Sequence, residues 1–306
     1  MPRLWFNDAV GALDPSEIEN ISNQNLVGWW KAHKSDGTDD NFAISQYTTG
    51  RGADNKYYIT QWDDSSSSGN HLTQLLGLGP QPHGDNVNNE GDVSDELNEY
   101  VVADFKGGVG GTQSLSLNLT PADPDDFTIG NTNNHLSFIC VVRHHSTVST
   151  PGITAGDNQF IIAAEKSSEA EDWAYGLYVA SVGVTLTVVQ RLAVYGDVDY
   201  AESTADLADD QYYVLGFFTE ETLNYPQGGI LSSSGPDLVD VGSSILGSVG
   251  TDGTVNTKVF VGREKSGASS TLDGRLVEMA AFKSTDPLSR LERLQLINYF
   301  KSKFAL

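Results

Sequence analysis

The sequence predicts an all-β protein, a two-sheet antiparallel sandwich preceded by a short N-terminal helix and closed by an amphipathic C-terminal helix. Three observations carry this. Short runs rich in β-branched and aromatic residues recur along the chain, among them LVGWW, KYYITQW, YVVADF, QSLSLNL, HLSFICVV, QFIIAAE, VTLTVVQRLAVY, QYYVLGFF and GRLVEMAAF. Each is bounded by Gly, Asn, Asp, Ser or Pro, the residues that tight turns require. With 39% hydrophobic residues, 12 Tyr and 12 Phe, the chain can also fill a large core.

The elements follow in order. Asp14-Pro15-Ser16-Glu17 offers an N-cap, a proline at the first helical position and a glutamate at the third, so a short helix starts there. Residues 1–25 read as an arm, with Leu4-Trp5-Phe6 either tucked under the sandwich or docked on another subunit, and residues 26–306 as a single domain without repeat or linker. Adjacent Trp29 and Trp30 lie in one strand and face opposite ways, so one of them can reach the surface. Two acidic stretches, 33–55 and 77–99, read as long loops. The segment SVGVT reads as a hairpin turn between Tyr178 and Thr187, with Gly183 supplying the unusual backbone angle. At the end, Leu288, Leu291, Leu294, Ile297, Phe300 and Phe304 recur at helical spacing behind a Ser289/Glu292 capping box, with Pro287 just inside the start.

Forty-one acidic against 18 basic residues give a formal charge of −23. A surface of that sign repels phosphate backbones and anionic lipid, which argues against nucleic acid and membranes as partners. The lone cysteine, Cys140, sits in the apolar run LSFICVV and reads as a small core residue. The start, MPRLWFNDAVGALDP, lacks the apolar stretch of a signal peptide, so synthesis in a cytoplasm is expected.

Three segments together resemble the jelly-roll domains of the laminin-G/concanavalin-A-like kind, found in lectins, polysaccharide-acting enzymes and virion proteins of tailed phages. They are LVGWW at 26–30, ITQWDDSSSSGNHL at 59–72, and the stretch from KVFVGRE through LDGRLVEMAAFKSTDPLSRLERLQLINYFKSKF at 258–304. The resemblance implies a jelly-roll sandwich and, by analogy with its lectin-like members, a structural calcium. Asp63, Asp64 and Asn70 supply hard oxygen donors for such an ion within one loop, and Asp36, Asp39 and Asp40 form a second set. No other cofactor is expected. Trp62 reads as an anchor of that loop, or as a sugar-stacking platform if it is exposed.

The glucanase branch of the resembled fold carries Glu-x-Asp-x-x-Glu on one strand. The nearest string here, Asp197-Val198-Asp199-Tyr200-Ala201-Glu202, starts with the shorter acid and follows Gly196, so it reads as an acidic turn. No Gly-x-Ser-x-Gly elbow occurs, and Gly107–Gly111 lacks the Lys-Ser/Thr of a phosphate loop. His144 and His145 point to opposite faces of a strand, and His33, His71, His83 and His135 are scattered. The expectation is a non-enzymatic virion protein of a tailed phage, made in the host cytoplasm. It would decorate the capsid or form part of a fibre or tail appendage, as a symmetric homo-oligomer contacting capsid or tail proteins. The alternative is a carbohydrate-binding module or polysaccharide hydrolase acting on a cell-surface glycan, with Trp62 and the Asp197–Glu202 string as its residues.

Overall fold

The computed structural model describes residues 18, 25–32, 47–74, 79–83, 97, 100–105, 117–119, 127, 135–144, 158–165, 173–182, 185–194, 197–206, 211–219, 226–231, 239–241, 259–263, 272–286 and 288–306. They form two antiparallel sheets and one helix, an all-β sandwich with a helical outer layer. The eight-stranded sheet runs in the order β15 (Val239–Val241), β14 (Pro226–Leu231), β13 (Tyr212–Thr219), β8 (His135–His144), β17 (Gly274–Ser284), β6 (Val102–Phe105) and β5 (Gln81–His83). The eighth strand, β1 (Asn25–Trp30), pairs with β17 beyond the segment that pairs with β6. The nine-stranded sheet runs β12 (Asp197–Asp206), β11 (Thr185–Val194), β10 (Trp173–Val182), β9 (Asn158–Glu165), β16 (Val259–Val261), β7 (Leu117–Leu119), β4 (Leu72–Gln74), β3 (Tyr57–Trp62) and β2 (Tyr47–Arg51).

The central strands of the smaller sheet explain why their sequences read as nearly continuous apolar runs. In β8, Leu136, Phe138, Cys140 and Val142 face the core between the sheets. Ile139 and Val141 face the opposite way into a second apolar layer. A strand covered on both faces needs apolar residues at every position rather than alternation. That second layer lies under helix α1 (Arg290–Phe304), which buries Leu296, Ile297, Tyr299, Phe300 and Phe304 against Val102, Val214, Val277, Ala280 and Phe282. Burial at the centre of the first layer pushes the Cys140 thiol up to about 12.

Helix α1 begins at the expected Ser289/Glu292 capping box, in which each side chain bonds the other residue's backbone amide. Its buried face is turned from the one the spacing suggested: Leu291 is 55% exposed and Leu294 half-buried, while Arg293 and Leu296 point inward. The expected short N-terminal helix falls outside the described residues apart from Ile18, which is buried in the layer under α1. Leu4-Trp5-Phe6 lie outside them too. The two acidic stretches are not loops throughout, because β2 and the edge strand β5 fall inside them. The β10–β11 register closes from Val182 to Thr185, while Gly183 lies outside the described residues.

Neither member of the Trp pair reaches the surface, contrary to expectation, since both sheet faces are covered at that point. Trp30 enters the inter-sheet core. Trp29 enters the helix layer, edge-on to Tyr299 with ring centroids 6.4 Å apart. Beneath the helix, the fully buried Glu278 of β17 collects four donors: Trp29 Nε1 at 2.9 Å, the Ala32 amide at 2.9 Å, the Tyr299 hydroxyl at 3.5 Å and the Lys303 ammonium. A buried carboxylate is tolerable only when satisfied in this way. Glu278→Ala would strip those donors of their acceptor and leave the Lys303 charge with no counter-ion from Glu278. We expect it to cost about 3–5 kcal/mol in denaturant unfolding, with Glu278→Gln costing less; equal stability of both variants and wild type would show that the network is dispensable.

Candidate functional site

Helix α1 occupies much of the outer face of the eight-stranded sheet. Among the described residues no helix or second sheet packs on the outer face of the nine-stranded one. The centre of that face is closed all the same, with Asn118 4% exposed and Phe260 and Ala163 3% each. One row of cross-strand partners crosses it from Thr48 through Gln61, Thr73, Asn118, Phe260 and Ala163, and its register continues through Gly176 and Arg191 to Tyr200 of β12. The orientation at its centre follows from alternation. Leu117 and Leu119 flank Asn118 and both enter the inter-sheet core, so Asn118 points outward. Asn118 is buried to 4% exposure, yet its Oδ1 has no hydrogen-bond partner among the described residues. Beside it, the Thr73 hydroxyl approaches the Asn118 carbonyl at 3.4 Å. The Arg263 guanidinium stands 5.5 Å from the centre of the Phe260 ring, and partial burial pulls it below its ordinary value. The sequence reading passed over this row. Its one signal was a polar residue between two leucines in QSLSLNL.

The Trp62–Asn70 segment, singled out from sequence, is built as a clamp. Trp62 is fully buried, edge-on to Tyr47 at 5.2 Å, with its Nε1 donating to the Lys31 carbonyl. It offers no face to a sugar, so the platform reading is corrected by its burial in the inter-sheet core. The Asp64 carboxylate accepts from the Trp29 amide at 2.7 Å and the Ser66 amide at 2.8 Å through Oδ1. Through Oδ2 it accepts from the Ser66 hydroxyl at 2.7 Å and the Asn70 amide at 2.8 Å. Asn70 donates its side-chain amide to the Val27 carbonyl and accepts from Trp30 Nε1 on its own carbonyl. Asp63 accepts from Gln61 Nε2 at 2.6 Å and stands 3.3 Å from His71 Nδ1.

The Asp63, Asp64 and Asn70 set does not fit a calcium ion. Four protein donors fill the lone-pair positions of Asp64, and Asn70 uses its amide and carbonyl on β1. The second calcium set, Asp36, Asp39 and Asp40, lies outside the described residues, as does His33.

The string Asp197–Glu202 is not a turn. It opens β12, the edge strand of the larger sheet, with Asp199 opposite Leu192 and Glu202 opposite Val189. On the other sheet a second row runs from Gln81 through Asp104, Arg275 and Arg143 to Tyr212. Like charges directly opposite each other repel; here Asp104 stands on the far side of Arg275, and Arg143 lies 5.5 Å over the Tyr212 ring. Burial pushes the Tyr212 hydroxyl up, while the two guanidinium groups beside it pull it down by less.

No protein-family model and no curated protein sequence matches the chain. Solved structures do. An arabinofuranosidase in complex with arabinofuranosyl-α-1,2-xylobiose superposes with a TM-score of 0.59 at 13% identity, covering 95% of this chain and 65% of that one. A GH54 α-L-arabinofuranosidase soaked with a cyclic sulfate inhibitor gives 0.58 at 11% identity, covering 95% and 66%. A substituted form of such an enzyme, soaked with 4-nitrophenyl α-L-arabinofuranoside, gives 0.58 at 14% identity, again covering 95% and 66%.

The chain thus spans about two-thirds of the length of those enzymes, and at this identity the likeness establishes the fold. It also overturns the expectation that the protein is not an enzyme, since the sandwich matched over 95% of the chain is one that houses glycoside hydrolases. Neither the fold nor these comparisons indicate a phage virion protein, and capsid or tail partners find no support in them.

Because the Asp64 carboxylate holds the loop to β1, Asp64→Ala should destabilise the fold by about 3 kcal/mol. Chelation of calcium should leave the wild-type melting temperature unchanged. A calcium-dependent melting shift in wild type that Asp64→Ala abolishes would reverse the assignment of this loop as a protein-only clamp.

Proposed function

We propose that this chain is a carbohydrate-active β-sandwich that recognises a glycan and hydrolyses glycosidic bonds. The observation that carries the reading is the superposition over 95% of the chain on arabinofuranosidases. Glycoside hydrolysis in most enzymes of this type needs a pair of carboxylates flanking the scissile bond, one acting as acid and the other as nucleophile or base. Asp199 and Glu202 are the acids the sequence singles out, and both lie on β12. Three positions apart in unbroken register with β11, they take register positions on opposite faces, so one of them at most can belong to such a pair, with its partner on another element.

The test is a glycan array together with hydrolysis assays on 4-nitrophenyl α-L-arabinofuranoside and arabinofuranosyl-α-1,2-xylobiose. Binding to at least one glycan class and measurable release of product are expected, with a loss of about 100-fold or more in rate for one of Asp199→Asn and Glu202→Gln and little change for the other. Binding with unaltered hydrolysis in both variants would move catalysis to other carboxylates. An array without hits and no product would remove the reading altogether.

A further inference from the structure

Independently of the glycan reading, we propose that Arg143, Arg275 and Tyr212 form a binding site for a small oxyanion, a carboxylate, sulfate or phosphate, on the outer face of the eight-stranded sheet. Alternation sets all three on that face: Val142, Leu276 and Tyr213 enter the inter-sheet core, so their chain neighbours Arg143, Arg275 and Tyr212 point the other way. Arg143 stands directly opposite both of the others, Tyr212 on one side and Arg275 on the other. Unlike the closed centre of the larger sheet, this cluster reaches solvent, because both arginines are half-buried.

Its chemistry is one-sided. A guanidinium donates hydrogen bonds and never accepts them. The Tyr212 hydroxyl lies beside both guanidinium groups, neither of which can take its proton, and it has no other hydrogen-bond partner among the described residues although Tyr212 is only 8% exposed. Burial pushes that hydroxyl up, against a smaller downward pull from the two cations, so it stays protonated and remains a donor. Stacking over the Tyr212 ring at 5.5 Å accounts for where Arg143 lies and leaves the hydroxyl proton without an acceptor. Like charges directly opposite each other also weaken a sheet, and this row holds two guanidinium groups against the one carboxylate of Asp104. In a chain of formal charge −23 such a local surplus of cations and donors is the feature to explain. An oxyanion between the two forks supplies the acceptor that Tyr212 lacks and lies between the two like charges, in the geometry that guanidinium groups recognise.

The test is calorimetric titration of the full chain at low ionic strength with sodium glucuronate, sodium sulfate and sodium phosphate, for wild type, Tyr212→Phe and Arg275→Gln, alongside thermal unfolding of each without ligand. Wild type should bind at least one of the three, and the tightest of them tells a sugar-borne carboxylate from an inorganic anion. Arg275→Gln should weaken that binding by about tenfold to a hundredfold, and Tyr212→Phe, which keeps the ring under Arg143, by about tenfold. The melting temperature of Tyr212→Phe should not fall, because the deleted hydroxyl has no acceptor for its proton among the described residues. A wild type that binds none of the three overturns the proposal, and so does binding that Tyr212→Phe retains in full, even where Arg275→Gln fails to fold. A marked fall in the melting temperature of Tyr212→Phe would show that the hydroxyl serves the fold and would overturn it too.

Discussion

Among the described strands β1 neighbours β17 alone, and it carries two fully buried tryptophans. Its second edge must find partners for its backbone groups or forfeit about 1–3 kcal/mol for each one left bare. The loop from Asp64 to Asn70 takes the place of a strand there. The Trp29 amide donates to Asp64 and the Trp29 carbonyl accepts from Ser65; the Val27 carbonyl accepts from Asn70 and the Leu26 carbonyl from Ser68. From the other side, Glu278 takes the Trp29 indole and reaches helix α1 through Tyr299 and Lys303. One tryptophan is thereby held at its amide and at its indole by two buried carboxylates. The β3–β4 loop, β1, β17 and α1 form one connected piece.

The eight-stranded sheet spends one face on the inter-sheet core and much of the other on α1. The nine-stranded sheet gives one face to the same core, and at the centre of its other face Asn118, Phe260 and Ala163 are buried as well. The glycine of the Gly262-Arg263 pair shows how closely the layers approach: its backbone is left-handed, with φ of 82°, and a Cβ there would fall 2.3 Å from the Phe105 ring. That site admits glycine alone.

Much of this was legible in the sequence. Period-two runs and turn residues located most strands, and the Ser289/Glu292 pair located the helix cap, because these signals depend on near neighbours. What sequence could not convey was which faces are covered. Trp29 was allowed a surface position because a strand in isolation has two faces, and only α1, packing from more than 250 residues away, closes the second one. Leu291 was assigned inward because it repeats at helical spacing, whereas the helix rotates to place Leu296 and Tyr299 against the sheet. The loop acids of ITQWDDSSSSGN looked like metal ligands because hard oxygens and turn residues are the same amino acids, and only the position of β1 shows where their donors are. Asn118 was invisible for a related reason. An asparagine in a strand signals nothing until its partners, or lack of them, can be counted.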